Sequence, residues 1–171
     1  ESKRQEDYET NFQLLMDQGA DLVWGIGFMM QAAMNDMAQK NPNQKFAIID
    51  EVVNQPNVAS VLFKEEEGSF LMGVIAARST KTGKVGFVGG MESPVIGRFE
   101  AGYKAGVKAA DPNVEVITIY SNSFVDPAKG KSDALTIYGQ GADIIFHAAG
   151  GTGQGVIEAA KEKGLYAIGV D

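Results

Sequence analysis

The chain has 171 residues, enough for one domain of ordinary size or two small lobes. Its 44% hydrophobic and 22% charged residues are those of an average globular chain, and no apolar run approaches the roughly 20 residues that span a bilayer. A net charge of −7 argues against nucleic acid as a partner, because phosphate binding needs a basic patch. The lack of Cys excludes disulfides, thiolate metal sites and a cysteine nucleophile.

In chain order, helical and strand patterns alternate. Tyr8, Phe12, Leu15 and Met16 recur at helical spacing and predict a helix over residues 7–18, closed by Gly19. A short strand follows at 21–25, then a Met- and Ala-rich helix at 28–39. Strands are predicted at 46–50 and 58–63, and a helix at 64–78 with Phe70, Leu71, Val74 and Ile75 on one face. The polar turn Thr80-Lys81-Thr82-Gly83-Lys84 reads as a lobe boundary, dividing the chain into 1–82 and 83–171. The alternation then resumes: strand 85–88, helix 93–110, strand 114–120, helix 127–139 with Asp126 as its N-cap, strand 143–148, helix 153–163 and strand 166–170.

Strands alternating with helices imply an α/β fold with parallel sheets. Nearly all the predicted strands are continuous apolar runs, the pattern of sheets covered on both faces. In such folds ligands bind just outside the carboxyl ends of the strands. Here those tips carry Trp24-Gly25-Ile26-Gly27-Phe28, Asp50-Glu51, Gly89-Gly90-Met91-Glu92-Ser93, Ser121-Asn122-Ser123-Phe124, Ala149-Gly150-Gly151-Thr152 and the terminal Asp171. Glycine allows close backbone approach, an aromatic ring covers a flat face, and a carboxylate accepts hydrogen bonds from two sugar hydroxyls. The set suits a neutral polar ligand with hydroxyls and one flat face. Asp50, Phe124, Gly150 and Asp171 are the candidate binding residues.

Other features read as structural. His147, the sole histidine, lies inside an apolar strand. Met29, Met30, Met34 and Met37 read as packing rather than a cofactor box, and Trp24 and Phe28 as wall or core. The stretch Gly150-Gly151-Thr152-Gly153-Gln154-Gly155 opens a helix but does not match G-x-G-x-x-G and lacks the lysine of a phosphate loop. Glu65-Glu66-Glu67 is a helix start that suits the dipole. No catalytic constellation and no metal-ligand spacing emerges, so neither an enzyme, a metal nor a cofactor is expected. The abrupt opening Glu1-Ser2-Lys3-Arg4 and the ending on Asp171 at a strand tip suggest an internal fragment of a longer protein.

Gly86-Phe87-Val88-Gly89-Gly90-Met91, with Pro94 and Arg98-Phe99-Glu100-Ala101-Gly102-Tyr103, resembles the basic membrane protein family. So do Asp143-Ile144-Ile145-Phe146 with Ala149-Gly150-Gly151-Thr152-Gly153, and the closing Gly169-Val170-Asp171; the resemblance covers essentially the whole chain. These are substrate-binding lipoproteins of ABC transporters, including purine nucleoside receptors. The resemblance implies a type I periplasmic binding protein fold, two doubly wound lobes around a hinge, incomplete in this chain. It implies that Asp50 contacts ligand from the first lobe, that Phe124 is the cleft aromatic, that Gly150 lines the cleft, and that Asp171 holds ribose hydroxyls. The family's opening strand and the lysine-bearing continuation after Asp171 lie outside this chain. The implied partners are a nucleoside and a membrane permease, with a lipid anchor in the full-length parent and an extracytoplasmic location. The rival readings are a ligand-sensing regulator on the same fold and a nucleoside hydrolase.

Overall fold

The computed structural model describes Ser2 and residues 4–170, and these form two compact units, Glu1–Phe63 and Lys64–Asp171. In the first unit, α1 (Tyr8–Asp17), β1 (Leu22–Ile26), α2 (Gln31–Lys40), β2 (Lys45–Ile49) and β3 (Val58–Val61) follow one another. The strands form a parallel sheet in the order β1-β2-β3. Val23, Phe46 and Ile48 are buried in one cluster with Tyr8, Phe12, Met34 and Met37, so both helices contribute to a single core. Asn57 holds the turns around this sheet: its side-chain amide donates to the carbonyls of Ala38, Asn41 and Gln44 at 3.1, 3.0 and 2.9 Å.

The second unit contains α3 (Glu65–Ser79), β4 (Lys84–Gly89), α4 (Pro94–Ala110), β5 (Glu115–Tyr120), α5 (Pro127–Gly139), β6 (Ile144–Ala148), α6 (Gly153–Lys163) and β7 (Tyr166–Ile168). Its parallel sheet runs β5-β4-β6-β7. Two clusters enclose it. Val85, Phe87, Ile144 and Phe146 pack with Tyr103 and Val107 of α4 and Ala76 of α3, while Val88 and Ile145 pack with Ile137 of α5 and Val156 of α6. Every residue of β6 is buried, as expected for a central strand of a doubly wound sheet.

Two sequence expectations change, and the compact units, Glu1–Phe63 and Lys64–Asp171, do not divide at the residues 82 and 83 where the polar turn reads as a lobe boundary. The cause is α3, whose Gly73 lies against the backbone of Tyr103 and Val107 in α4 and which therefore belongs to the second core. Strand β1 of the first unit is covered on one face only: it alternates, with Val23 and Gly25 buried but Leu22, Trp24 and Ile26 at 43%, 47% and 62% exposure, whereas Phe46, Ala47 and Ile48 of β2 are buried on both faces. Trp24 is thus not a core residue, and Met29 is exposed while Met34 and Met37 are buried.

Candidate ligand-binding site

The sheet of the second unit reverses direction at β4. The chain runs from β4 to β5 on one side, then returns to place β6 on the other. Such a switch point leaves a crevice outside the carboxyl ends of the two strands that flank it, here β4 and β6. Four segments supply this place. Gly89 and Gly90 end β4, with the Gly90 amide donating to Ala148 O at 3.0 Å. Ala149 leads into a 3-10 turn at Gly150–Thr152. The loop after β5 brings Ser121 to Phe124, and Gly153 opens α6.

Two aromatic rings cover the two glycines. A Cβ on Gly89 would stand 2.6 Å from Cε1 of Tyr120, its register partner on β5. A Cβ on Gly90 would fall within the Phe124 ring, so only glycine lets that ring lie on the strand tip. Gly150 adopts φ +53°, and a Cβ there would come within 3.3 Å of Phe124 O and 3.7 Å of its Cβ. The structure therefore brings Phe124 and Gly150 together at the switch point. Phe124 is half-buried, whereas Gly150 and Gly151 are exposed.

The loop that carries Phe124 is anchored at both ends. At its start, buried Ser121 donates from Oγ to Oδ2 of buried Asp133 at 2.7 Å, and Lys129 neutralises the same carboxylate. Asn122 then takes φ +55°, a left-handed conformation that asparagine tolerates better than most residues. At its end, the Thr152 amide donates to Phe124 O at 3.3 Å and the Asp126 amide donates to Thr152 Oγ1 at 2.9 Å. The Asp126 carboxylate caps α5 by accepting from the Lys129 amide at 3.0 Å, as its position before Pro127 predicts.

Charged groups surround the tips without forming an acid–base pair. Tyr120 Oη donates to Glu100 at 2.7 Å, and Lys104 pairs with the same carboxylate. Burial pushes the Glu100 carboxyl up, but the hydrogen bonds from Lys104 and Tyr120 outweigh it and hold the group below its usual range. Burial, then the bond to Glu100, pushes the Tyr120 phenol up, so it stays protonated and donating. His147 is buried in β6 with its ring against Gly153, a packing position. That contact explains the glycine-rich start of α6. Gly153 makes room for the imidazole and Gly155 for the backbone of Pro127 and Lys131, with no need of a phosphate. Among the described residues no group of His, Asp and Glu side chains could hold a metal ion.

In the first unit, Asp50 follows β2 with φ +73°, its amide donating to Val61 O at 2.9 Å. Aspartate, like asparagine, tolerates this left-handed conformation better than most residues. Asp50 belongs to a different compact unit from Phe124 and Gly150. Asp171 lies outside the described residues. The sequence reading places Gly90 and Thr152 at strand tips without making them candidate binding residues, and it passes over Tyr120. The signal was the Gly-Gly pair at a strand tip in register with an aromatic residue on the neighbouring strand.

The whole chain, residues 1–171, matches the family model described as ABC transporter substrate-binding protein PnrA-like. It is 46% identical over 162 residues to the ABC transporter nucleoside-binding protein BmpA of Lactococcus lactis, covering 94% of this chain and 46% of that protein. It is 44% identical over 170 residues to basic membrane protein A of Borreliella burgdorferi, covering 96% of this chain and 50% of the relative. A crystal structure of an ABC transporter solute-binding protein from Aeropyrum pernix superposes with a TM-score of 0.85 at 33% identity, over 98% of this chain and 50% of that one. The chain thus spans about half the length of the curated relatives it matches. With its doubly wound second unit and glycine-floored strand tips, the chain belongs to the PnrA-like family of ABC transporter substrate-binding proteins.

Proposed function

We propose that the protein carrying this chain captures a nucleoside, a purine nucleoside by preference, and delivers it to an ABC permease from an extracytoplasmic, lipid-anchored position. The observation that carries this reading is Phe124, an aromatic ring laid on the glycine tip of β4 at the switch point of the sheet. A ring held there stacks on a flat base, and glycine backbone beside it admits the ligand closely. Asp50 is proposed to contact the ligand, and Asp171 to accept hydrogen bonds from ribose hydroxyls, its carboxylate offering two oxygens. The name of the Lactococcus lactis relative includes nucleoside binding, which supports the same ligand class for this chain. Binding and release complete the cycle, with no bond made or broken.

The test is a thermal-shift and calorimetric panel of purine and pyrimidine nucleosides, free bases and pentoses against the full-length polypeptide. A nucleoside at about 100 times its Kd adds roughly 2.7 kcal/mol of stability. Phe124→Ala is expected to weaken binding by about 1–3 kcal/mol, the range of base–aromatic stacking. Stabilisation by pentoses alone, or by no nucleoside, rejects the assignment. A regulator of the same fold predicts binding without transport, so nucleoside uptake that persists after deletion of the gene favours that second reading.

A further inference from the structure

The loop from Ser121 to Asp126 is short, polar and half-exposed, yet the ring it carries packs directly on Gly90. Loops of this kind ordinarily move more than the elements they join. Two groups oppose that here. Ser121 is tied to Asp133 inside the unit, which secures the chain where it leaves β5. The other end has no strand to hold it. It runs into α5, which Asp126 caps, and Thr152, fully buried, ties it across to the turn after β6 with two different atoms on two backbone points flanking Val125. Its amide takes the carbonyl of Phe124, and its hydroxyl takes the amide of Asp126. Thr152 is itself fixed, since Gly130 of α5 packs directly on its carbonyl and γ-methyl with no space for a side chain between.

We infer that Thr152 is a positioning residue for ligand recognition, a two-point clamp that fixes the Phe124 ring over Gly90 before ligand arrives. The inference rests on the binding role proposed for Phe124 and adds the source of its preorganisation. A preformed ring spares the ligand the cost of ordering a loop, and this raises affinity without a new contact. The hydroxyl is the part that can be removed without disturbing packing. Valine fills the same volume but cannot accept the Asp126 hydrogen bond, while serine keeps the oxygen and loses only a methyl.

The experiment compares wild type, Thr152→Val and Thr152→Ser in the full-length polypeptide, by amide hydrogen exchange without ligand and by titration with adenosine, guanosine and inosine. For Thr152→Val, exchange at Asp126 is expected to rise at least about tenfold, with β6 amides unchanged. Its nucleoside Kd is expected to rise about tenfold, the effect of one net hydrogen bond. Thr152→Ser is expected to restore both. Wild-type affinity in Thr152→Val with a freely exchanging Asp126 overturns the inference, because the hydroxyl would then serve the fold alone. Unchanged exchange in Thr152→Val overturns the clamp itself. If wild type binds none of the three nucleosides, the function proposed above fails, and the exchange result still decides whether Thr152 holds the loop.

Discussion

Glu65 shows how a single residue type can be legible while its role is not. The run Glu65-Glu66-Glu67 reads as a helix start that suits the dipole, and the helix does begin there. Yet the Glu65 side chain is only 5% exposed and accepts from Arg98 Nε of α4 at 2.8 Å, whereas Glu67 stays in solvent with Lys64. Sequence periodicity cannot show this, because the partner is 33 residues away. Burial pushes the Glu65 carboxyl up, but the hydrogen bond and charge of Arg98 outweigh it and the group titrates below its ordinary value. A carboxyl depressed in the folded state stabilises above its unfolded value and loses that contribution as pH falls through the folded one. Glu65→Gln is therefore expected to cost stability at neutral pH, between the ~1 kcal/mol of an exposed pair and the ~3 kcal/mol of a buried one. Urea unfolding from pH 7 to pH 3 checks this: the gap between wild type and variant should hold above about pH 4.3 and shrink below it. A gap that stays constant to pH 3 would show that packing, not charge, is lost. The positions of Asp50 and Phe124 after β2 and β5 were legible because strand ends carry short polar and aromatic motifs. Thr152 was not, because its partners come from a different loop.

Every strand and helix predicted from periodicity is present, with ends shifted by a few residues at most. What periodicity did not convey is how closely two helices approach. In α4, Gly102 and Gly106 are one turn apart, and a Cβ on either would collide with the backbone of Glu66 or Phe70 in α3. Gly73 of α3 returns the contact against Tyr103. The two helices touch main chain to main chain, which fastens α3 to the second unit and moves the boundary away from the Thr80–Lys84 turn. Glycine at these positions has a packing role that its helix propensity hides. Gly106→Val is expected to destabilise by at least ~2 kcal/mol through overpacking. Gly97, on the same helix, has open space where a methyl group would project, with nothing within 4 Å, so Gly97→Ala should stabilise by roughly 0.4–1 kcal/mol. Thermal melts of the two variants measure both signs together. If Gly106→Val melts with wild type, the close approach of α3 and α4 does not govern this core.

At the scale of the molecule, the α/β class and the family were both readable, since alternating elements and glycine-bearing strand tips are local in sequence. The exposed side of β1 was not, because Leu22, Val23 and Trp24 look alike as an apolar run and differ only in which way the pleat turns them. That side carries the one tryptophan of the chain, Trp24, in the unit Glu1–Phe63. Of the tyrosines, Tyr8 shares that unit, while Tyr103, Tyr120, Tyr138 and Tyr166 belong to the other. The chain is thus optically divided. Excitation at the red edge of indole absorption reports one unit alone, and far-ultraviolet dichroism is dominated by the four helices of the other. The smaller unit, with less core per residue, is expected to lose its structure first. Its emission should shift at a lower urea concentration than the helical signal falls, and coincident curves would mean that both units melt as one cooperative block.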